Sequence, residues 1–465
     1  MSDINSESNR ASAGNLAEAE DRLPTFSDAL RVWTKIGLLS FGGPAGQIAL
    51  LHRVVVGERG WIGERRFLHA LNFCTLLPGP EAQQLATYLG WLMHGVRGGL
   101  AAGILFVAPG AGVMLALSFI YAAWGNVPVI AALFFGVKCA VLVLVIDALV
   151  RVGRRALHTN AAWILAIAAF AALFFFNLPF PVVVLAAGLV GYLAPAGFTP
   201  SRHGEAKSDK PALIDAVFLL DPGRATRMAA GARRAGVICL VLWLVPVVLL
   251  ITLVGGVYAD VAWFFSKMAV VTVGGAYAVL AYVAQDAVQY YRWLTGPEML
   301  AGLGLAETTP GPLILVLQFV GFLAGFRAPE PLNGAAGGVI ASLLVLWVTF
   351  TPCFVFVFLG APLIERLQSN AALSAALSAI TAAVVGVIAN LAVWFGLRVF
   401  FSQIQKIQAG PFALEAPVLV SVNISALGLA TLAAVCVFKL KLGVLQTLGI
   451  TAAAGLVVHF TMSAG

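Results

Sequence analysis

Apolar stretches long enough to cross a hydrocarbon layer of roughly 30 Å follow one another from residue 29 to residue 461. Nothing else in the chain limits its fold so severely. In lipid every backbone polar group must find its partner inside the structure, which leaves helices or a closed barrel. A barrel would show short segments of alternating polarity, and these stretches are continuous. The fold expected is an all-α polytopic membrane protein. Composition agrees: of 465 residues, 60% are hydrophobic and 11% charged, with a mean hydropathy of +0.95, too little polar surface for a water-soluble shell.

The candidate spans are roughly 29–50, 67–93, 98–124, 128–150, 161–178, 180–196, 236–258, 261–285, 297–325, 335–360, 371–400, 418–438 and 442–461, about 13 in all. The polar start, residues 1–28, lacks a basic region followed by an apolar core. It reads as a cytoplasmic tail rather than a signal peptide. Residues 197–235 carry Arg202, Lys207, Lys210, Arg224, Arg227, Arg233 and Arg234, which argues for a cytoplasmic loop. The net charge of +7 follows from such loops, so no nucleic-acid partner is expected; the lipid bilayer is. One loop conflicts: "HRVVVGERGWIGERR" would fall outside despite its arginines.

Sliding the sequence by 232 residues superposes Lys35 on Lys267, Gly42 and Gly43 on Gly274 and Gly275, and Trp61 on Trp293. Pro78-Gly79-Pro80 then falls on Pro310-Gly311-Pro312. Over residues 35–80, 11 of 46 positions match without a gap, and an offset of 243 pairs Pro109 with Pro352 and Asp147 with Asn390. The chain is a duplication: a first repeat at 29–196, the basic loop, a linking helix at 236–260 and a second repeat at 261–465. An odd number of spans between repeat starts makes the repeats inverted in topology, as in secondary transporters that bind substrate near the midplane.

Each repeat has two breaks, "SFGGP" and "LPGP" in the first, "TVGG" and "TPGP" in the second. Irregular backbone at membrane depth is tolerated where it is buried or lines a cavity. A half-helix starting after each break offers free N–H groups and a positive dipole end, a cradle for an anion. Prolines also kink packed helices, but the match between repeats favours a site. The substrate-binding candidates are therefore Gly42, Gly43, Pro44, Pro78, Gly79, Pro80, Gly274, Gly275, Pro310, Gly311 and Pro312. Lys35 and Lys267 join them as costly intramembrane charges at matched positions. Gln83, Gln84, Thr308 and Thr309 can donate hydrogen bonds. Glu81 and Glu307 would repel an anion unless they carry a coupled proton; for Glu81, a simple preference for its helix N-terminus is an equal alternative.

Asp147 precedes Arg151 by four residues, the spacing of an ion pair. The six histidines and five cysteines show no metal-ligand or disulfide spacing and read as packed side chains. No metal or cofactor is expected, and no hydrolase or metalloprotease motif argues for an enzyme.

The stretches "LLSFGGPAGQIALLH", "GWIGERRFLHALNFCTLLPGPEAQQLATYLG" and "TTPGPLILVLQFVGF" resemble the chromate ion transporter family in its long, two-domain form, over nearly the whole chain after the tail. That resemblance implies a bacterial inner-membrane protein that exports chromate and confers resistance to it, built from homologous halves of opposite orientation. The second repeat departs from the pattern: Ala276 stands opposite Pro44, and Leu313 opposite Glu81. The function expected is chromate export, in exchange for protons. The residues alone say oxyanion, so a sulfate-type transporter or a passive anion channel stays open, as does a homodimer.

Overall fold

The computed structural model describes residues 23–125, 127–198, 213–214, 217, 221, 224–271, 276–329, 332–361, 371–409 and 412–463. The tail and most of the basic loop lie outside them. The chain is helical nearly throughout, as its hydropathy demands. The first repeat comprises α1 (Phe26–Leu39), α2 (Gly43–His52), α3 (Glu64–Cys74), α4 (Glu81–Trp124), α5 (Pro128–Ala156), α6 (Asn160–Phe176) and α7 (Phe180–Leu193). After α8 (Arg224–Leu249) the series recurs as α9 (Gly256–Val271), α10 (Ala276–Gln285), α11 (Gly296–Thr308), α12 (Val316–Phe326), α13 (Gly334–Gly360), α14 (Ala371–Phe400), α15 (Ile424–Ala434) and α16 (Val444–Ser463). The extra member arises because α4 turns back on itself at His94 and Gly95, which leave helical geometry. Its two limbs, α4a and α4b, correspond to α12 and α13.

Two expected spans of the first repeat divide into hairpins. Residues 29–50 split into α1 and α2; 67–93 splits into the end of α3, the Pro-Gly-Pro break and α4a. Their outer ends gather on one face. Pro24, just before α1, has its carbonyl 2.8 Å from His94 Nε2 at the α4a–α4b turn. Gly60 and Trp61, between α2 and α3, accept backbone hydrogen bonds from Leu213 and Ile214, shortly before α8. Gly231, in the first turns of α8, packs towards Val96 at the start of α4b. The arginine-bearing loop 53–66 thus lies on the same face as the segment leading into α8, contrary to the sequence expectation. Its charges cease to conflict with the basic-loop rule once α1 and α2 are a hairpin rather than a crossing.

The second repeat mirrors these contacts. Tyr258, near the start of α9, donates to Leu332 O at 2.6 Å before α13, and Arg327 after α12 pairs with Glu298 of α11 at 2.6 Å. α8, continued by a π-helical turn at Leu250–Val254, joins the two halves. It begins at Arg224, inside the stretch assigned to the basic loop, and its apolar surface is largely exposed, as suits a lipid-facing linker.

The repeats are interlaced. Gly136 of α5 packs directly on Thr451 of α16, while Gly191 of α7 packs on Ala375 and Ala379 of α14. The last helices of each repeat therefore lie against the long helix of the other. A β-hairpin, Ile404–Ala409 paired antiparallel with Phe412–Pro417, interrupts the otherwise helical chain between α14 and α15. No strand is expected there from hydropathy. It rests on α14 through the Arg398–Glu415 ion pair, 2.8 Å. The Asp147–Arg151 pair forms at 3.0 Å. The cysteines are unpaired thiols, four of them buried and Cys239 half-buried.

Candidate functional site

The breaks meet at the centre. In both Pro-Gly-Pro turns the glycine takes a positive φ, +118° at Gly79 and +93° at Gly311, which only glycine adopts without strain. Gly311 N–H donates to Ser40 O at 2.8 Å. Gln47 Nε2 donates to Gly311 O at 2.6 Å and reaches Ser40 O at 3.3 Å. The α1–α2 break of the first repeat is thereby tied to the α11–α12 break of the second. Each turn is also held by the other repeat's long helix. A Cβ on Gly79 would sit 3.1 Å from Cys353 Sγ, and one on Gly110 would collide with Pro310 O. Gly110 and Cys353 are themselves matched at the 243-residue offset.

A cavity of about 20 Å³ lies between these ends, room for roughly one water. Its walls are the starts of four helices: Pro44 from α2, Pro80 and Glu81 from α4a, Ala276 from α10, and Pro312 and Leu313 from the 3₁₀ turn that leads into α12, with Gln47 closing one side. At three of these starts (Gly42, Pro80 and Pro312) no side chain caps the helix. Free N–H groups and positive dipole ends converge there from both repeats, the arrangement that binds anions. Among the described residues, Glu81 is the one ionisable side chain in the wall.

The other candidates fall elsewhere. Gly42 and Gly43 have positive φ and shape the first break without lining the cavity. Gln84 Nε2 donates to Pro78 O at 2.6 Å, so it satisfies a carbonyl freed by the break. Gln83 reaches Thr87 Oγ1 at 3.2 Å at the α4a–α4b contact, and its Oε1 is buried without a partner. Thr308 and Thr309 both return their hydroxyl hydrogen to Leu305 O, at 2.8 and 2.7 Å. Lys35 is exposed on α1. Lys267 Nζ lies 5.9 and 5.7 Å from the ring centres of Phe264 and Tyr282, a cation–π setting, with Asp286 in electrostatic reach. Neither lysine lines the cavity. Glu307 is 6% exposed and accepts a hydrogen bond from Tyr277 OH at 2.9 Å. Since Tyr277 follows Ala276, this pair stands directly behind the cavity wall. Gly274 and Gly275 lie outside the described residues.

Sequence reasoning missed Ser40, Gln47 and Tyr277. For Gln47 a signal existed: it is the lone polar side chain in "GPAGQIALL", and an amide on an apolar half-helix at a break needs a buried partner. Ser40 and Tyr277 become meaningful only when the repeats are brought together. No group of three or more potential metal ligands occurs among the described residues.

Broken helices that converge from two repeats around one buried cavity define a polytopic membrane protein. Comparison with known proteins supplies the particular family. The chromate transporter family model matches residues 27–192 and 259–458, and the chain belongs to that family. It is 33% identical over 397 residues to a chromate transport protein of Pseudomonas aeruginosa, covering 83% of this chain and 86% of that one. A probable chromate transport protein of Synechococcus elongatus is 25% identical over 363 residues, 78% and 82% of the two chains. A chromate transport protein of Cupriavidus metallidurans is 24% identical over 375 residues, 80% and 83%. These relatives are named as transport proteins, and this chain is a transporter rather than an enzyme. No solved structure matches it.

Proposed function

We propose that this protein is a secondary transporter that exports chromate across the bacterial inner membrane and so confers chromate resistance. The relatives' names support the substrate. The observation that carries the mechanism is the meeting of four helix starts from two repeats around one cavity. The repeats are inverted, with α8 as the membrane-crossing link. The tail and basic loop are cytoplasmic, on the face that carries loop 53–66. With room for roughly one water, the cavity is too small for a tetrahedral oxyanion, so binding requires the half-helices to part. They are joined across the repeats chiefly by the Gln47–Gly311 and Ser40–Gly311 hydrogen bonds, which the substrate oxygens replace.

Glu81 sets the coupling. An ionised carboxylate at the start of α4a occupies the same positive field as the substrate, so the dianion displaces the charge and Glu81 takes up a proton. Proton and anion then travel together, whereas the exchange expected from sequence would need them to bind in turn. Export stays downhill without a proton gradient. A dianion leaving a cell that is negative inside gains roughly 4.6 kcal/mol per 100 mV, and with one proton still about 2.3 kcal/mol. Glu307, held by Tyr277 behind the wall, is the second candidate on the proton path.

The test is chromate efflux from proteoliposomes under an imposed potential, negative inside. Wild type should lose chromate faster as the potential grows. A rate that ignores the potential contradicts net outward movement of negative charge. Sulfate as competitor separates a chromate carrier from a general oxyanion carrier.

A further inference from the structure

A second cavity, of about 160 Å³, lies away from the centre and plays no part in the mechanism above. It is about an order of magnitude larger than one water needs. Its polar wall is made of carboxamides: Asn177 at the end of α6, Gln285 at the end of α10, Gln289 in the π-helical turn that follows it, and Asn390 on α14. Gln285 Nε2 donates to Asn177 Oδ1 at 2.8 Å, which fixes two of the four. Trp394 also lines the cavity, and its Nε1, a donor with no acceptor function, is buried without a hydrogen-bond partner. The hairpin residues Ile407 and Glu415 complete the wall. Glu415 is neutralised by Arg398, whose guanidinium stacks 3.8 Å above the Trp394 ring.

We infer that this cavity is a second oxyanion site, a vestibule through which the transported dianion passes. The inference rests on the transporter reading. Three observations point to this occupant. The wall offers amide N–H donors with no uncompensated negative charge, which suits an anion held loosely. α10 joins the two cavities: Ala276 lines the central one, while Ala281, Ala284 and Gln285 line the vestibule. The ten residues of helix from Ala276 to Gln285 span about 13 Å. Finally, the repeats differ at the matched positions. Asn390, Trp394 and Gln285 stand where the first repeat has Asp147, Arg151 and Arg53, while Arg398 matches Arg155. A vestibule walled by amides, with its one carboxylate paired to Arg398, holds a dianion loosely, as suits the release end.

The experiment uses the full-length protein in nanodiscs and proteoliposomes with radiolabelled chromate. Wild type should bind two chromates per chain. Asn390→Leu, or Gln289→Leu should the first variant fail to fold, should bind one and still transport. Its KM for chromate supplied from the vestibule side should rise severalfold, with the maximal rate nearly unchanged. Gln47→Leu should show the converse, losing flux while keeping one bound chromate. If wild type binds one chromate and the vestibule variants leave KM and stoichiometry unchanged, the vestibule is refuted and the central site stands. If wild type neither binds nor moves chromate, both readings fall.

Discussion

At the scale of single residues, Gln47 is the most informative side chain in the molecule. It is buried to 1% exposure and bridges the first break to Gly311 of the other repeat. Replacing it by leucine leaves a buried carbonyl short of a partner, a cost of about 1–3 kcal/mol. Gln47→Leu should still insert, yet its chromate flux should drop by at least about tenfold, the equivalent of about 1.4 kcal/mol in barrier; near-normal flux would remove Gln47 from the site. Glu81→Gln should keep transport and lose its pH dependence, since the neutral amide mimics the protonated acid. A variant whose flux still varies with pH as in wild type would shift proton coupling to Glu307. The lysines divide. Lys35 is exposed and faces no cavity, so Lys35→Ala should leave flux within about twofold, whereas Lys267→Ala should loosen the ring cluster of Phe264, Tyr282 and Trp293. Its loss should show as lower thermal stability in detergent, with little change in KM. Sequence pattern alone could not separate the two lysines, because a shared offset reports common ancestry and not the direction a side chain takes.

At the scale of elements, the breaks were legible and the path of the chain after them was not. Pro-Gly-Pro and Gly-Gly mark where helices must stop. They do not say whether the next half-helix continues or turns back, and hydropathy is the same either way. What decides is packing. Gly90 lies against Gly98 and Gly99 against Thr87, so α4a and α4b pack as an antiparallel pair, close enough that any Cβ would intrude. Gly110 is the sharpest case, since a side chain there meets the Pro310 carbonyl. Gly110→Val should push the break of the second repeat away from α4b and lower the thermal unfolding midpoint clearly. Gly112→Val, two residues on and nearly opposite on the helix, with open space at its Cβ position, is the control. Equal effects from both would mean that the α4b contact does not hold the break. The β-hairpin was illegible for a different reason: "IQKIQAGPFALEAP" is a short polar interruption whose strand pairing depends on docking to α14.

At the scale of the whole molecule, duplication explains both what could be read and what could not. The 232-residue offset identified the repeats, the four breaks and the two Pro-Gly-Pro turns. The interlacing of the repeats, α5 with α16 and α14 with α7, leaves no trace in one sequence, because each contact joins residues hundreds of positions apart. The central cavity exists only through that interlacing, as its wall alternates between repeats. A consequence concerns sidedness. Single cysteines at Gly60 and Leu213, in a background lacking the native thiols, should react with an impermeant reagent from the same face of the membrane, and a cysteine at Tyr290 from the opposite face. Labelling of Gly60→Cys and Leu213→Cys from opposite faces would break the hairpin assignment for α1 and α2. The most direct test of an oxyanion site among the four helix starts is to fill it. Ala276→Phe places a ring in a cavity of about 20 Å³, and chromate efflux from proteoliposomes is then measured beside wild type at equal, monodisperse insertion. Flux reduced to the protein-free background is the result expected; flux near that of wild type through a plugged cavity would show that the anion crosses elsewhere.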